Sequence, residues 1–291
     1  MESFIPVFLP GTEKTEIRFV YTKEHVSCDT WENVPHLHPH YEMMFCVQGS
    51  YEIITDKSVF RPSRGDVRTY RSGELHMGRI LSDCVYEGFQ FSISKSAETA
   101  FRNAGLLECF INRPYGEQNA VSPRRKEEIL AYLYELASEI ENKGKDSEIY
   151  ASTLVVRILC LVNRAFAAKE FFSAVSLSSR LSEILNYINC HFIEISTLGE
   201  IADANHISIS RLGSLFRDGI GITPYRYLVL KKINHAKMLL STGSNVTEAC
   251  YESGFCDYSH FIAAFKKYVG VTPHKYAAAH RELGTLPLGG I

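Results

Sequence analysis

The sequence predicts a two-domain α+β protein. We expect an N-terminal antiparallel β-barrel with a helical hairpin, followed by an all-α domain of two helix-turn-helix units joined by a linker helix. Three observations favour this fold: short extended runs separated by turn residues, helical periodicity that begins at Ser122, and a pattern that recurs 49 residues further along the chain. A chain of 291 residues is long enough for two domains.

The extended runs lie between Ile17 and Ser94. Residues 41–47 and 51–55 are two of these runs, with the turn residues Gln48-Gly49-Ser50 between them. Several short strands at this spacing are typical of a small antiparallel sandwich or barrel.

Two amphipathic helices are predicted after the strands. Ser122-Pro123 supplies an N-cap and a proline at the first helical position, and apolar residues then recur at three- and four-residue steps as far as Ile140. A second helix is expected from Ser147 to about Lys169. Two interpretations of this hairpin stay open: it packs only on the barrel, or it leaves one apolar face for a second subunit.

Composition limits the class of protein. Hydrophobic residues make up 45% and charged residues 22% of the chain, which is typical of a globular protein and excludes a long disordered region. The net charge is -2, but residues 174–291 carry 11 basic against 9 acidic residues. This balance permits DNA binding without indicating it.

Neither export nor membrane insertion is expected. The eight cysteines contain no Cys-x-x-Cys pair and no regular spacing, which favours a reducing cytoplasm over a disulfide framework or zinc site. The N-terminus lacks the basic and apolar regions of a signal peptide. The longest apolar stretch, 153–168, contains Arg157, Asn163 and Arg164 and falls short of the roughly 20 residues that span a bilayer.

The second domain is predicted to begin after a serine-rich linker at 173–180. The domains would then cover 1–172 and 181–291. Within the second, Leu215-Phe216-Arg217 and Gly221-Ile222-Thr223-Pro224 correspond to Ala264-Phe265-Lys266 and Gly270-Val271-Thr272-Pro273. The domain is therefore expected to contain two copies of one helical unit.

Each copy has the layout of a helix-turn-helix. A short helix (about 197–204 and 246–252) precedes a turn and a second helix (about 208–218 and 257–268). Gly254 suits the positive φ of the second turn, and Asn205 is expected to take that role in the first. Thr223-Pro224 begins a linker helix to about Ser241, roughly 28 Å long. Such a rod can place two recognition helices about one DNA turn, roughly 34 Å, apart.

Over about 180–281 the sequence resembles the AraC/XylS-type transcriptional regulators. The resemblance is carried by Ser253-Gly254-Phe255, Tyr258-Ser259-His260-Phe261, Phe265-Lys266-Lys267, Gly270-Val271-Thr272-Pro273 and Tyr276. It implies that the second helix of each unit enters the major groove of double-stranded DNA. A second copy of the chain and RNA polymerase are the other expected macromolecular partners.

The resemblance also implies which residues contact DNA. Base contacts are expected from Ser210, Arg211, Gly213 and Ser214 in the first unit, and from Tyr258, Ser259, His260 and Ala263 in the second. Phosphate contacts are expected from Arg217, Arg226, Lys231, Lys232, Lys266 and Lys267, each of which could equally be a solubilising surface charge. Many relatives carry large polar residues at 213, 214 and 263, so selectivity should depend on Arg211 and on DNA shape.

A second resemblance lies in the N-terminal domain. His36, His38, Glu42 and Gly49 follow the first cupin motif, H-x-H-x(3)-E-x(6)-G, and Pro62-Ser63-Arg64-Gly65 with His76 resembles part of the second. This implies a cupin-like effector domain, with a pocket formed by His36, His38, His40, Glu42 and His76. Three roles stay open: His36, His38, Glu42 and His76 bind a divalent metal, the group contacts a ligand without metal, or the histidines are structural.

These patterns predict a sequence-specific DNA-binding transcriptional regulator rather than an enzyme. A small molecule, a sugar or a related metabolite, is expected to modulate it from the barrel. No residue is predicted to be catalytic, and no cofactor is required beyond the metal already named. The competing interpretation is a metal-dependent cupin enzyme fused to a DNA-binding domain.

Overall fold

The computed structural model describes residues 1–9, 15–28, 38, 40–55, 58–142, 144–173, 175–176 and 178–283, without the side chains of 175–176 and 280–283. The pocket residue His36 lies outside these ranges. Two compact units are distinguished by their contacts: Met1–Pro35 with His40–Val175, and His36–Pro39 with Ser176–Ile291. We call them the N-terminal unit and the C-terminal unit.

The N-terminal unit contains two antiparallel sheets. The larger has the strand order β1 (Glu2–Val7), β2 (Thr15–Val26), β8 (Cys84–Ile93), β3 (Tyr41–Gln48), β6 (Val67–Tyr70) and β9 (Ala120–Val121). The smaller has the order β10 (Val175–Ser176), β5 (Ser58–Phe60), β4 (Tyr51–Thr55) and β7 (His76–Ile80). The predicted antiparallel strands are present. The prediction of a closed barrel was wrong, because the described strands form two separate sheets.

Strand β3 is buried on both faces, and this places the candidate pocket. Met43 and Phe45 belong to the larger core, which the helices of the unit cover. Cys46 belongs to a smaller core that combines residues of both sheets, including Ile53 from β4 and Tyr70 from β6. Because side chains alternate along a strand, Glu42 lies on the same face of β3 as Cys46, between the sheets.

The helices of this unit are α1 (Glu98–Asn103), α2 (Glu108–Ile111), α3 (Lys126–Glu141) and α4 (Ser147–Ala167). The expected hairpin of α3 and α4 is present, but Ser122 does not cap α3, which begins four residues later. The Ser122 hydroxyl instead donates to Asp66 Oδ1 at 2.6 Å. Helix α4 is long and apolar enough to cross a membrane by length and composition. Its apolar side chains, such as Val155, Ile158 and Val162, are buried in the larger core.

The C-terminal unit is helical. Its helices are α5 (Ser179–His191), α6 (Leu198–Ala204), α7 (Ile209–Ile220), α8 (Pro224–Ser241), α9 (Val246–Glu252), α10 (Tyr258–Val269) and α11 (Pro273–Leu283). The helix boundaries agree with the sequence pattern within two residues for α6 to α10. The stretch predicted as a linker differs, since it contains β10 and the first residues of α5, which Ser178 caps.

The two helix-turn-helix turns differ in their left-handed residue. Gly254 has a φ of 87°, as expected. In the first turn His206, not Asn205, takes positive φ, at 51°. Asn205 is buried, and its side-chain Nδ2 donates to the carbonyl of Ile201 at 2.8 Å, which holds the end of α6. The prediction for Asn205 was therefore wrong.

Candidate nucleic-acid interface and effector site

Helix α7 presents the first set of predicted base contacts. The Ser208 side chain caps its N-terminus by accepting a hydrogen bond from the Arg211 backbone N–H at 3.1 Å. Leu212 and Phe216 are fully buried, so the opposite face is free to meet a ligand. On that face Ser210 and Arg211 are exposed, while Gly213 and Ser214 are half-buried.

Helix α10 presents the second set in the same way. Asp257 caps it by accepting from the His260 backbone N–H at 2.5 Å, and Phe261 and Phe265 are fully buried. The predicted base contacts Ser259, His260 and Ala263 are exposed, and Tyr258 is half-buried. The two capped helices thus repeat one arrangement: a buried aromatic face and an exposed polar or small face.

One contact of α10 was missed from the sequence. The hydroxyl of Tyr225, in the first turn of α8, lies 2.9 Å from Nε2 of His260. Tyr225 is 49% exposed, which is high for a tyrosine in a helix whose other face is core. The contact fixes the ring of a predicted base-contacting residue. The sequence could not show it, because 35 residues separate the partners.

The expected phosphate contacts divide into two groups. Arg217, Lys266 and Lys267 are exposed and Arg226 is half-buried. Lys231 and Lys232 are only 8% and 6% exposed, so their expected phosphate contacts are corrected. Each lies on the side of α8 that packs into the unit, where a phosphate does not reach without unpacking the helix.

Lys232 connects the two helix-turn-helix units. Its Nζ donates to the carbonyl of Ile195, just before α6, at 2.7 Å and to the carbonyl of Gly254 at 2.6 Å. Burial lowers the pKa of Lys232, because desolvation disfavours the ammonium form. Because this ammonium is bonded to one carbonyl from each helix-turn-helix unit, it holds the two helix-turn-helix units in one relative orientation.

The backbone of Ile193 approaches Gly254 closely. A Cβ at this position would lie 2.3 Å from the carbonyl oxygen of Ile193, which follows α5. No side chain fits at that separation, so glycine is required both by its φ and by the approach of a second backbone. Together, Gly254 and Lys232 fix how the second turn sits against the end of α5.

The candidate effector site lies between the sheets of the N-terminal unit. The Glu42 carboxylate lies 3.3 Å from His76 Nε2 and 3.8 Å from His40 Nε2, and all three residues are buried. Gln90 Nε2 donates to Glu42 Oε2 at 2.8 Å. His76 Nδ1 lies 3.1 Å from the Glu74 carbonyl, which leaves Nε2 directed toward Glu42.

These donors suit a divalent cation. One ligand atom from each of His38, His40 and Glu42 lies within 4.8 Å of the others. Imidazole nitrogens with one carboxylate are ligands that zinc and other transition metals accept, and a backbone hydrogen bond to the far nitrogen of His76 is the usual support for such a ligand. Residues His38, His40, Glu42 and His76 could hold the ion.

Arg68 is a buried polar residue that the sequence did not single out. It is 1% exposed, and among the residues that the structure describes none is a hydrogen-bond partner of its three guanidinium nitrogens. Its guanidinium carbon lies 3.6 Å from the centroid of the Phe60 ring. The neighbouring Tyr70 side chain is fully buried, with its ring stacked 3.8 Å from that of His76. The alternation of apolar and polar residues in β6 did not indicate that a charged side chain lies between the two sheets.

Comparison with known proteins agrees with the paired helices of the C-terminal unit. Residues 201–279 match a family model described as a helix-turn-helix domain. The chain is a transcriptional regulator with a helix-turn-helix domain. The regulator's helix-turn-helix is a DNA-binding domain, and α6 to α11 are the helices that form it.

Three similar proteins illustrate the extent of the match. The regulator is 27% identical over 253 residues to the HTH-type transcriptional regulator YdeC of Bacillus subtilis, covering 83% of this chain and 84% of YdeC. It is 22% identical over 235 residues to an HTH-type regulator of Staphylococcus aureus, of which it spans only 30%. The solved DNA-binding domain of AdpA, in complex with a target DNA, is 26% identical; the match covers 38% of this chain and all of that domain, with a TM-score of 0.35.

Proposed function

We propose that the regulator reads two adjacent segments of one DNA duplex, with α7 in one major groove and α10 in the next. The observation that carries this proposal is the repeated capped helix, buried on one face by Leu212 and Phe216 in α7 and by Phe261 and Phe265 in α10. Helix α8 has 18 residues and is about 27 Å long. That length suits two sites about one helical turn apart.

Arg211 is the proposed principal base contact. It is exposed on the first turn of α7, where recognition helices meet base edges, and a guanidinium can pair with guanine through two hydrogen bonds. Ser210, Ser214, Tyr258, Ser259, His260 and Ala263 complete the proposed base-facing set. Arg217, Arg226, Lys266 and Lys267 are proposed to contact phosphates.

Selection from a randomised duplex library with the full chain tests this function. We expect enrichment of two short sequence blocks, and an affinity whose logarithm falls linearly with the logarithm of salt concentration. Arg211→Ala should lose selectivity at one or two positions of a single block, at about 1–3 kcal/mol each. Lys266→Ala, the matched control, should weaken binding to all sequences alike. Failure to enrich any sequence would count against base readout.

The variant Gly213→Ala distinguishes a role of Gly213 in the close approach of α7 to DNA from a role in folding. Gly213 lies inside α7, and an added Cβ would meet only Arg217 Nη1 at 3.9 Å, an ordinary contact. Alanine should therefore stabilise the C-terminal unit by about 0.5–1 kcal/mol through helix propensity. If Gly213 faces DNA closely, the same variant will bind its operator more weakly. Thermal unfolding and a binding isotherm on one preparation check both effects; unchanged binding would remove Gly213 from the interface.

We further propose that a small molecule between the sheets of the N-terminal unit modulates DNA binding. The buried polar group of His40, Glu42 and His76 supports such a site, because a few buried polar side chains commonly fix the orientation of a small ligand in its pocket. The family resemblance favours a sugar or a related metabolite. Modulation requires that the ligand binds one state of the regulator more tightly than another. A homodimer in the cytoplasm, in contact with RNA polymerase, completes the proposal.

The second candidate function is a metal-dependent activity of the same group. It is favoured by the approach of His38, His40 and Glu42 ligand atoms within 4.8 Å. Metal analysis of the purified chain, with His38→Ala as the loss-of-ligand variant, tests it. Stoichiometric metal that the variant loses would support a metal site; metal-free protein with full DNA binding would contradict a metal-dependent function.

A further inference from the structure

We propose that Arg68 is the anchor for a carboxylate, and hence that the effector of this regulator is an organic acid. The inference rests on the proposed effector site and names the chemical class of its ligand. It starts from a buried charge: the Arg68 guanidinium is 1% exposed, and none of its three nitrogens has a hydrogen-bond partner within the ranges that the structure describes.

Such a group is expensive to keep inside a protein. Arginine stays protonated even when buried, so folding removes its charge from water without replacing the lost hydrogen bonds. By contrast, the surface residue Arg61 of the same unit is paired and lies 2.7 Å from Glu52. Replacing Arg68 by an apolar residue of similar length would therefore favour folding. A buried ion that costs stability suggests a function that needs it.

Neighbouring acidic side chains do not supply the missing charge. Glu42, opposite Tyr70 in the β3–β6 register, accepts from Gln90 and lies against His76. Glu74 forms a buried pair with Arg113 at 2.6 Å. The buried Arg68 thus brings one positive charge, and a ligand with a single negative charge complements it.

The surroundings of Arg68 favour a carboxylate. Phe60 covers one face of the guanidinium at 3.6 Å, so the N–H donors remain available only in the guanidinium plane. A planar acceptor that takes two parallel hydrogen bonds fits this fork best. The Tyr70 hydroxyl, which has no acceptor among the described residues, can donate a third hydrogen bond. Burial raises the pKa of Tyr70 to about 12, which keeps this hydroxyl protonated.

The body of the acid would lie among the side chains of the smaller core. Arg68 and Tyr70 are two residues apart in β6 and face the same side, where Met44, Ile53 and Tyr51 pack. An apolar or aromatic body would contact these side chains, while His76 and Gln90 would offer polar contacts to a hydroxylated one. A simple organic acid and a sugar acid share the carboxylate, and the experiment distinguishes them.

The test is thermal unfolding of the full chain with acids and their neutral amides at constant ionic strength and without DNA. The probes are acetate, benzoate and glucuronate against acetamide, benzamide and glucuronamide. We expect at least one acid to raise the melting temperature by about 5 °C at roughly 100 times its Kd, with no effect of the amides. The acid of the pair benzoate and glucuronate that raises the melting temperature more will show whether the body of the ligand is aromatic or hydroxylated.

Arg68→Met supplies the decisive comparison, with Arg61→Met as the surface control. Without acid, Arg68→Met should melt at or above the wild-type temperature, and no acid should shift it; Arg61→Met should respond like wild type. If the methionine variant does not fold, Arg68→Lys takes its place, with acid binding at least tenfold weaker. No acid-specific shift in wild type, or the same shift in a folded Arg68 variant, would overturn the proposal. DNA binding would stand in either case.

Discussion

Replacing Arg113 with leucine will destabilise the N-terminal unit by about 3–5 kcal/mol, because it removes the closest counter-charge of the buried Glu74 carboxylate and leaves the longer Arg71 contact, at 3.6 Å. Arg113 donates to both Glu74 oxygens, at 2.8 and 2.6 Å, and to the carbonyls of Thr69 and Cys109. Burial alone would raise the pKa of Glu74, but the Arg113 guanidinium holds it below its usual value. The fluorescence of Trp31, the single tryptophan of the sequence, followed through denaturant unfolding, measures the loss.

The double variant Arg113→Leu, Glu74→Leu is the control. It removes both charges, so it should recover most of the lost free energy of unfolding. The difference in free energy of unfolding between wild type and Arg113→Leu should also become smaller as the pH falls through the lowered pKa of Glu74. Protonation then neutralises the carboxylate that Arg113 compensates, so the pair contributes above that pKa and is lost below it. A single variant as stable as wild type at pH 7 would contradict the pairing.

Replacing Gly254 with alanine will destabilise the C-terminal unit by about 3 kcal/mol. Alanine at a φ of 87° costs about 1–2 kcal/mol, and the new Cβ would lie 2.3 Å from the Ile193 carbonyl oxygen. Relief of the clash moves the second turn away from α5. That motion weakens the Lys232 contact with the Gly254 carbonyl and alters the spacing of α7 and α10. Helical circular dichroism during thermal unfolding, together with operator affinity, measures both losses.

Gly243→Ala is a matched control for Gly254→Ala. Gly243 has a φ of 105°, but nothing lies within 4 Å of an added Cβ. The control therefore carries the backbone strain without the clash, and it should leave operator affinity unchanged. Equal effects of the two substitutions on stability and affinity would show that the approach of Ile193 to Gly254 has no role.

The sequence predicted those features that depend on neighbours along the chain. Helices α6, α7, α8 and α10 begin within one residue of the expected positions, where Thr197, Ser208, Thr223 and Asp257 cap them, because a cap acts on backbone groups two or three residues away. The cap predicted at Ser122 failed because Asp66, 56 residues distant, competes for its hydroxyl. Local patterns carry no information about such a competitor.

The remaining differences involve partners distant in sequence. The carbonyls that bind Lys232 lie 37 and 22 residues away along the chain. Because the sequence does not reveal these partners, the pair Lys231-Lys232 was predicted to be exposed charges. Tyr225 and Arg68 likewise acquire their roles from His260 and Phe60 on other elements. His38, Glu42 and His76, which the cupin-like spacing singled out, are buried, but that spacing could not show that the described strands form two separate sheets. Register and closure depend on pairings that span the whole unit.

Operator affinity as a function of block spacing tests paired groove reading most directly. The two blocks recovered by selection would be separated by added or deleted base pairs, and the Kd of the full chain measured on each duplex. Because α8, Lys232 and Gly254 hold α7 and α10 in one orientation, we expect one optimum near 10 base pairs between block centres. Moving the blocks by five base pairs should reduce affinity to that of a single block. An affinity independent of spacing would contradict simultaneous reading by two rigidly held helices.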